Sequence, residues 1–236
     1  MTTPATFVLA DDHQLVREGL RLLLEGQPGF SVVGETSDGL AVAELVARLK
    51  PDVLVVDLVM PGLGGLDVAR EVARRAPRTR IVILSMHSSD AFVVQALRSG
   101  ASAYVLKDSP GAELVQAIRQ ALAGRRYLSP PLSENAIEAY VKRAEGAEVD
   151  IYETLTTRER EVLHLAAEGL GNPAIGERLG ISPRTAETHR THVMQKLGLR
   201  NRTDLIVYAI NRGLIPAHPP GPSPPALVER DGSREP

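Results

Sequence analysis

Three acids in this chain stand where chemistry could be done. Val53-Leu54-Val55-Val56 is a mostly β-branched apolar run that reads as a strand buried on both faces. Asp57 ends it, just before Met60-Pro61-Gly62 breaks any regular structure. Thr6-Phe7-Val8-Leu9-Ala10 is a second such run, and it stops at Asp11-Asp12. If the two strands are parallel neighbours, three carboxylates crowd one rim, and like charges that close need a cation or a proton between them. Magnesium, a hard cation that takes oxygen ligands and keeps several waters, suits two carboxylates and a backbone carbonyl. Two further runs end in complementary groups: Arg80-Ile81-Val82-Ile83-Leu84 in the hydroxyl of Ser85, and Ala103-Tyr104-Val105-Leu106 in the ammonium of Lys107. Carboxylate, metal, hydroxyl and lysine together describe a site for a phosphoryl group, whose equatorial oxygens need donors and neutralised charge.

The elements that must position these groups alternate strand and helix five times over residues 1–127. Leu15, Gly19, Leu22 and Leu23 fall at helical spacing after the first strand, and Phe30-Ser31-Val32-Val33-Gly34 is strand-like. Further helices are predicted over 41–49, 68–76, 91–98 and 112–123, the last with Ser109 as N-cap and Pro110 in its first turn. Alternating βα units imply right-handed crossovers and one five-stranded parallel sheet with helices on both faces, a doubly wound α/β fold that puts ligands at the carboxyl edge.

Composition narrows the function classes. The chain has 236 residues, 43% hydrophobic and 24% charged, with no cysteine and no tryptophan. Disulfides and thiolate metal sites are therefore excluded. No apolar run approaches the length of a membrane span and the start lacks a signal-peptide pattern, so a cytoplasmic protein is expected. The net charge of −2 hides an asymmetry: residues 155–215 carry 9 basic and 6 acidic groups, while 128–154 carry 2 and 6. The basic block is where nucleic acid would bind.

Asp11-Asp12, Asp57 with Met60-Pro61-Gly62, Ser85, the segment Gly100-Ala101-x-Ala103-Tyr104 and Lys107, each at the end of its own strand, resemble the CheY-like receiver domain of two-component systems. That fold is flavodoxin-like. The resemblance implies that Asp57 is the phosphoacceptor. It makes Asp12, Asp57 and the backbone carbonyl of Val59 ligands of Mg²⁺, with Asp11 assisting. Ser85 would bond the phosphoryl group, Lys107 would pair with it, and Tyr104 would be the aromatic switch. Met86 departs from the family pattern, where a small residue is common. Taken singly, each residue has a plainer reading: an acidic N-cap for Asp11-Asp12, a loop hydroxyl for Ser85, half-buried core for Tyr104, a solvated amine for Lys107, a surface imidazole for His87.

Residues 128–154 read as a linker, with a breaker at Pro130-Pro131, a short helix over 135–143 and an acidic stretch over 145–153. Residues 155–215 are helical throughout, forming an all-α domain of four helices. Thr156-Thr157-Arg158-Glu159 is a capping box, Gly169-Leu170-Gly171 ends the first helix, Asn172-Pro173 opens a short second, and Ser182-Pro183 caps a longer third that stops at Gly198. Asn201 begins the fourth. Two short helices joined at Gly180 by a tight turn signal a helix-turn-helix. The block resembles the LuxR-type DNA-binding domain that follows a receiver in the NarL/FixJ family. The resemblance rests on Leu155-Thr156-x-Arg158-Glu159-x-Glu161-Val162-Leu163, Ala174-Ile175-x-x-Arg178-Leu179, Thr185-x-x-Thr188-His189 and Lys196-Leu197-Gly198.

By that resemblance the third helix enters the major groove of double-stranded DNA, Glu187, Thr188 and Thr191 read bases, and Arg178, Thr185, Arg190 and Lys196 contact phosphate. Glu187 and Thr191 depart from relatives that are basic there. The fourth helix would pair two copies, making a homodimer when phosphorylated. His189 and His192 are expected to pack or cap rather than bind metal. Residues 216–236, dense in proline, read as a disordered tail. The whole implies a response regulator whose donor is a sensor histidine kinase, with no membrane partner. Two other readings are a phosphohydrolase on the same fold, which would want a second carboxylate where Val59 stands, and a phosphate-independent binding module.

Overall fold

The computed structural model describes residues 4–132 and 150–215. The helix expected over 135–143, most of the acidic stretch and the tail at 216–236 lie outside the described residues. The strands are β1 (Ala5–Ala10), β2 (Phe30–Thr36), β3 (Val53–Asp57), β4 (Arg80–Ser85), β5 (Ala103–Leu106) and β6 (Tyr127–Leu128). They form one sheet in the order β2-β1-β3-β4-β5-β6, every neighbouring pair parallel. Between them run α1 (Gln14–Glu25), α2 (Gly39–Leu49), α3 (Gly65–Arg75), α4 (Asp90–Arg98) and α5 (Gly111–Leu122).

Strict alternation along each strand divides the interior in two. Phe7, Leu9, Val53, Val55, Val82, Leu84, Ala103 and Val105 pack under α1 and α5, with Leu24, Leu114 and Ile118. Their neighbours Val8, Ala10, Leu54, Val56, Ile81, Ile83 and Tyr104 face α2, α3 and α4, with Val46, Val68, Val72, Val93 and Leu97. Both faces are covered, which is why the strands are apolar at consecutive positions. β1 feeds β2 on one side and lies beside β3 on the other, so the chain reverses direction across the sheet at β1/β3, and the cleft opens there.

The sheet has six strands rather than the expected five. After α5 the chain returns along β5, pairing Tyr127 with Ala103 and Leu128 with Tyr104. The backbone groups on that side of β5 would otherwise be an open edge. The amide of Ser129 donates to the carbonyl of Tyr104 at 3.1 Å, and Leu132, 2% exposed, fills the core on the α4 side. The start of α5 also differs. Pro110 occupies the N-cap position and makes no side-chain cap, while the Ser109 hydroxyl lies 3.5 Å from that of Ser129.

The C-terminal part begins with a 3-10 turn (Ile151–Thr154), then α6 (Thr157–Ala167), α7 (Asn172–Leu179), α8 (Pro183–Leu197) and α9 (Arg202–Asn211). The capping box is formed in both directions between Thr156 and Glu159. Gly180 ends α7 in the left-handed region at φ 65° and lets α8 turn away; the Ser182 hydroxyl then accepts from the Thr185 amide at 3.0 Å. Val162, Leu163, Leu165, Ile175, Ala186, Val193, Leu205 and Ala209 make a third core, against which Leu40 of α2 also packs. No helix among the described residues is long and apolar enough to cross a membrane.

Candidate functional site

The strand register builds the acid rim. Ala10 lies opposite Val56, so Asp11 and Asp57, one residue further on each strand, finish side by side. Ser85 lies opposite Leu106, so Lys107 follows at the same edge. Lys107 Nζ bridges the two acids, 2.6 Å from Asp57 Oδ2 and 2.7 Å from Asp11 Oδ2. Asp11 is buried, and its Oδ1 accepts from the His13 amide at 2.8 Å. Asp12 is more open and lies 2.7 Å from His13 Nδ1. Ligand atoms of Asp11, Asp12, His13 and Asp57 fall within 4.8 Å of one another.

Burial pushes the Asp57 carboxyl up to about 6 against the opposing pull of Lys107. Burial also works against the Lys107 charge, but Asp57 and Asp11 outweigh it and hold its pKa above the ordinary lysine value. Three carboxylates facing one ammonium leave a negative surplus, and oxygen donors in that number fit a hard divalent cation. His13 adds an imidazole at the mouth of the cluster, a neighbour the strand pattern did not single out.

Ser85 is fully buried, and its hydroxyl accepts from the His87 amide at 2.9 Å. Tyr104 is turned wholly inward and donates to the carbonyl of His87 at 2.7 Å, and burial pushes its phenol up to about 12. His87 therefore ties the two groups expected to act as a switch, and its ring also lies 4.6 Å from that of Phe92 at the start of α4. Met86 is 72% exposed beside this segment, at the edge of the rim.

On the helical part, Ala186 and Val193 anchor α8 in the core and leave Glu187, Thr188 and Thr191 exposed on its outer side. Thr188 and Thr191 donate their hydroxyls to the carbonyls of Arg184 and Glu187, both at 3.0 Å, and keep oxygen lone pairs for a partner. Glu187, Arg190 and Thr191 line one open hollow of about 360 Å³ with Asn172 and Met194. Thr185 lies at the start of α8 with its hydroxyl on Ser182.

Two of the expected phosphate contacts are engaged elsewhere. Arg178 pairs with Asp38 of the α/β part at 2.7 Å. Lys196 Nζ donates to Glu159 Oε2 at 2.7 Å and to the Thr154 carbonyl at 3.2 Å. Glu159 is buried, and although burial raises its pKa, Lys196 and the Thr156 donors bring it below the ordinary value. That stabilisation is present at neutral pH and is lost as pH falls through the lowered pKa. Lys196→Ala is therefore expected to lower thermal stability at pH 7 and to do so less in acid. Thr188→Ala should leave stability unchanged and alter base preference in a DNA selection. Equal melting shifts for the two variants would count against this division.

A parallel α/β domain with acids gathered at its carboxyl edge, followed by a helix-turn-helix domain, defines a phosphorylation-responsive transcription regulator. The family described as response regulator receiver domain matches residues 7–119, and the luxR family of bacterial regulatory proteins matches 153–209. The chain is 37% identical over 213 residues to the oxygen regulatory protein NreC of Staphylococcus epidermidis, covering 88% of this chain and 98% of that one. It is 36% identical to NreC of Staphylococcus carnosus with the same coverage. Among solved structures, a LuxR-family response regulator from Aurantimonas is 43% identical over 58% of this chain, with a TM-score of 0.56. RcsB of Salmonella enterica, bound to a promoter in the presence of a phosphomimetic, is 30% identical over 86% of this chain and 97% of that one, TM-score 0.54. The chain belongs to the two-component response regulators that join a receiver to a LuxR-type DNA-binding domain.

Sequence reasoning missed the residues by which the two parts meet: Asp67, Tyr152, His164 and Glu168. The one available signal was His164, a polar ring inside the apolar run Leu163-His164-Leu165-Ala166-Ala167.

Proposed function

We propose that Asp57 accepts a phosphoryl group from the phosphohistidine of a sensor histidine kinase, and that the phosphorylated chain pairs and binds promoter DNA through α8. One observation carries this reading: Asp57 and Asp11 end adjacent parallel strands and share Lys107 at 2.6 and 2.7 Å. An Asp57 oxygen attacks phosphorus, the bond from phosphorus to the histidine nitrogen breaks, and the departing imidazole takes its proton from solvent. Lys107, already poised on Asp57, moves to the new phosphoryl oxygens. Ser85 accepts from the His87 amide and keeps its own hydroxyl proton to donate to the phosphoryl group, and a movement of Ser85 toward that group pulls on the segment that holds Tyr104.

Asp12, Asp57 and the Val59 carbonyl would hold Mg²⁺, with Asp11 assisting, and the ion would offset the charge gathered in the transition state. The receiver takes residues 1–127 and is completed by Leu128, Ser129 and Leu132, the DNA-binding domain takes 155–215 with Tyr152 in its core, the residues between serve as linker and 216–236 as tail. Glu187, Thr188 and Thr191 read bases, while Thr185 and Arg190, with Arg178 once released, hold phosphates. A regulator reading promoter DNA as a homodimer works in the cytoplasm. Incubation with Mg²⁺ and a small phosphodonor is expected to give a stable covalent label of one phosphoryl group per chain. Rapid release of inorganic phosphate over many turnovers would instead mark a phosphohydrolase, and no label a binding module.

A further inference from the structure

The loop that carries two of the acids from β1 to α1 has little to hold it. The Asp11 amide closes the last rung of the β1–β2 ladder on the Thr36 carbonyl at 3.2 Å. α1 then begins at Gln14 with no side-chain cap on its N-terminus. Between these points Asp12 lies at the open mouth of the rim, its side chain 33% exposed and its carboxylate 2.7 Å from His13 Nδ1.

Arg17 closes this gap from the first turn of the helix. Helical side chains lean toward the N-terminus, and Arg17, whose amide donates to the His13 carbonyl at 3.1 Å, reaches back over the loop. Its Nη1 donates to the Asp11 carbonyl at 2.6 Å. Its Nε faces Glu35 Oε2 at 3.8 Å, and the side chain is 17% exposed. Glu35 lies opposite Leu9 in the β1–β2 register, so the brace stands on the sheet itself. Arg21, one turn further along α1, also faces Glu35, at 3.4 Å from Oε1, but is 46% exposed. Among the described residues the Asp11 carbonyl takes its side-chain hydrogen bond from Arg17, not from Arg21. The carbonyl of Asp11 and the amide of Asp12 belong to one planar peptide, so fixing the carbonyl fixes the plane from which the Asp12 side chain departs.

We propose that Arg17 is a positioning residue of the acid rim: braced on Glu35, its guanidinium holds the Asp11–Asp12 peptide and so aims the Asp12 carboxylate at the cation. The inference rests on the reading of Asp12 and Asp57 as Mg²⁺ ligands. Donors on two edges of one rigid plane serve both partners at once, which an ammonium on a flexible stem does not reproduce. A bare charge at this place would have the opposite sign. A cation near the rim repels a divalent ion, so removing a charge that acted alone would tighten metal binding. Loss of a group that orients a metal ligand instead weakens it, typically by about 10–100-fold.

The test uses the full chain as wild type, Arg17→Gln, Arg17→Lys and the control Arg21→Gln. Circular dichroism checks folding, and if Arg17→Gln does not fold, Arg17→Lys decides. Mg²⁺ affinity is measured by calorimetry, and labelling by a small phosphodonor is followed across Mg²⁺ concentrations. Expected are Mg²⁺ binding roughly 10-fold weaker for both Arg17 variants and within about twofold of wild type for Arg21→Gln. Raising Mg²⁺ should restore the wild-type labelling rate, because Asp57 and Lys107 are untouched. Wild-type or tighter Mg²⁺ binding by either Arg17 variant would overturn the positioning role, as would a lower labelling plateau at an unchanged Mg²⁺ half-saturation. A wild type that binds no Mg²⁺ would overturn the metal site and this inference with it.

Discussion

A chain carrying Asp57→Asn is expected to take no covalent label from a phosphodonor, a loss of at least about 100-fold against wild type. The amide is a poor nucleophile, would remove a charged ligand of the proposed metal and leaves Lys107 facing Asp11 alone. In the proposed reaction the attacking species is the wild-type carboxylate. With the carboxyl pushed up to about 6, labelling at low Mg²⁺ should climb with pH through about 6 and then level off. Bound Mg²⁺ favours the ionised form, so saturating metal should move that midpoint down.

The same shift makes a stability statement. A carboxyl whose pKa is raised on folding binds its proton more tightly in the native state. Its destabilising contribution is therefore fully present above about pH 6 and disappears below the ordinary carboxyl range. Asp57→Asn should accordingly stabilise the metal-free protein at pH 7 by about 1–3 kcal/mol, at roughly 1.4 kcal/mol per pKa unit, and have little effect near pH 3. Denaturant unfolding at the two pH values reads this directly. A variant less stable at pH 7 than wild type would sink the electrostatic account of the rim.

Gly65→Ala is a backbone change with a large expected cost. A Cβ there would overlap the Asp57 carbonyl, because α3 starts against the end of β3 with the Gly65 amide donating to Leu58 at 2.8 Å. Neither peptide can yield without moving Asp57 or the helix. The variant should lose about 2 kcal/mol or more and label poorly even in the fraction that folds. Gly19→Ala offers the contrast. That glycine lies in α1 with nothing within 4 Å of its absent Cβ, so alanine should stabilise by about 0.5–1 kcal/mol. An unchanged melting temperature and normal labelling in Gly65→Ala would contradict the packing described.

The acid rim was legible because strand ends and special residue types coincide: an apolar run fixes the strand, and the residue after it must lie at the edge. The helix-turn-helix was legible for a similar reason, since Thr156, Gly180, Ser182 and Asn201 punctuate it with caps and turns. β6 was not legible, because two residues carry no alternation. Lys196 reads as a phosphate contact on a basic helix; its partner Glu159 is 37 residues away and already explained by the capping box. Asp67 reads as an ordinary acid in the first turn of an amphipathic helix, and its partners Tyr152 and His164 lie 85 and 97 residues downstream. Long-range polar pairing leaves no periodicity to find.

β6 also decides how the receiver can be cut out for study. The family match stops at residue 119, yet Tyr127, Leu128, Ser129 and Leu132 complete the fold beyond it. A fragment trimmed to the family boundary would end inside α5 and display a naked β5 backbone, ready to zip onto another molecule. A fragment ending after Leu132 carries its own selvedge and should remain monodisperse.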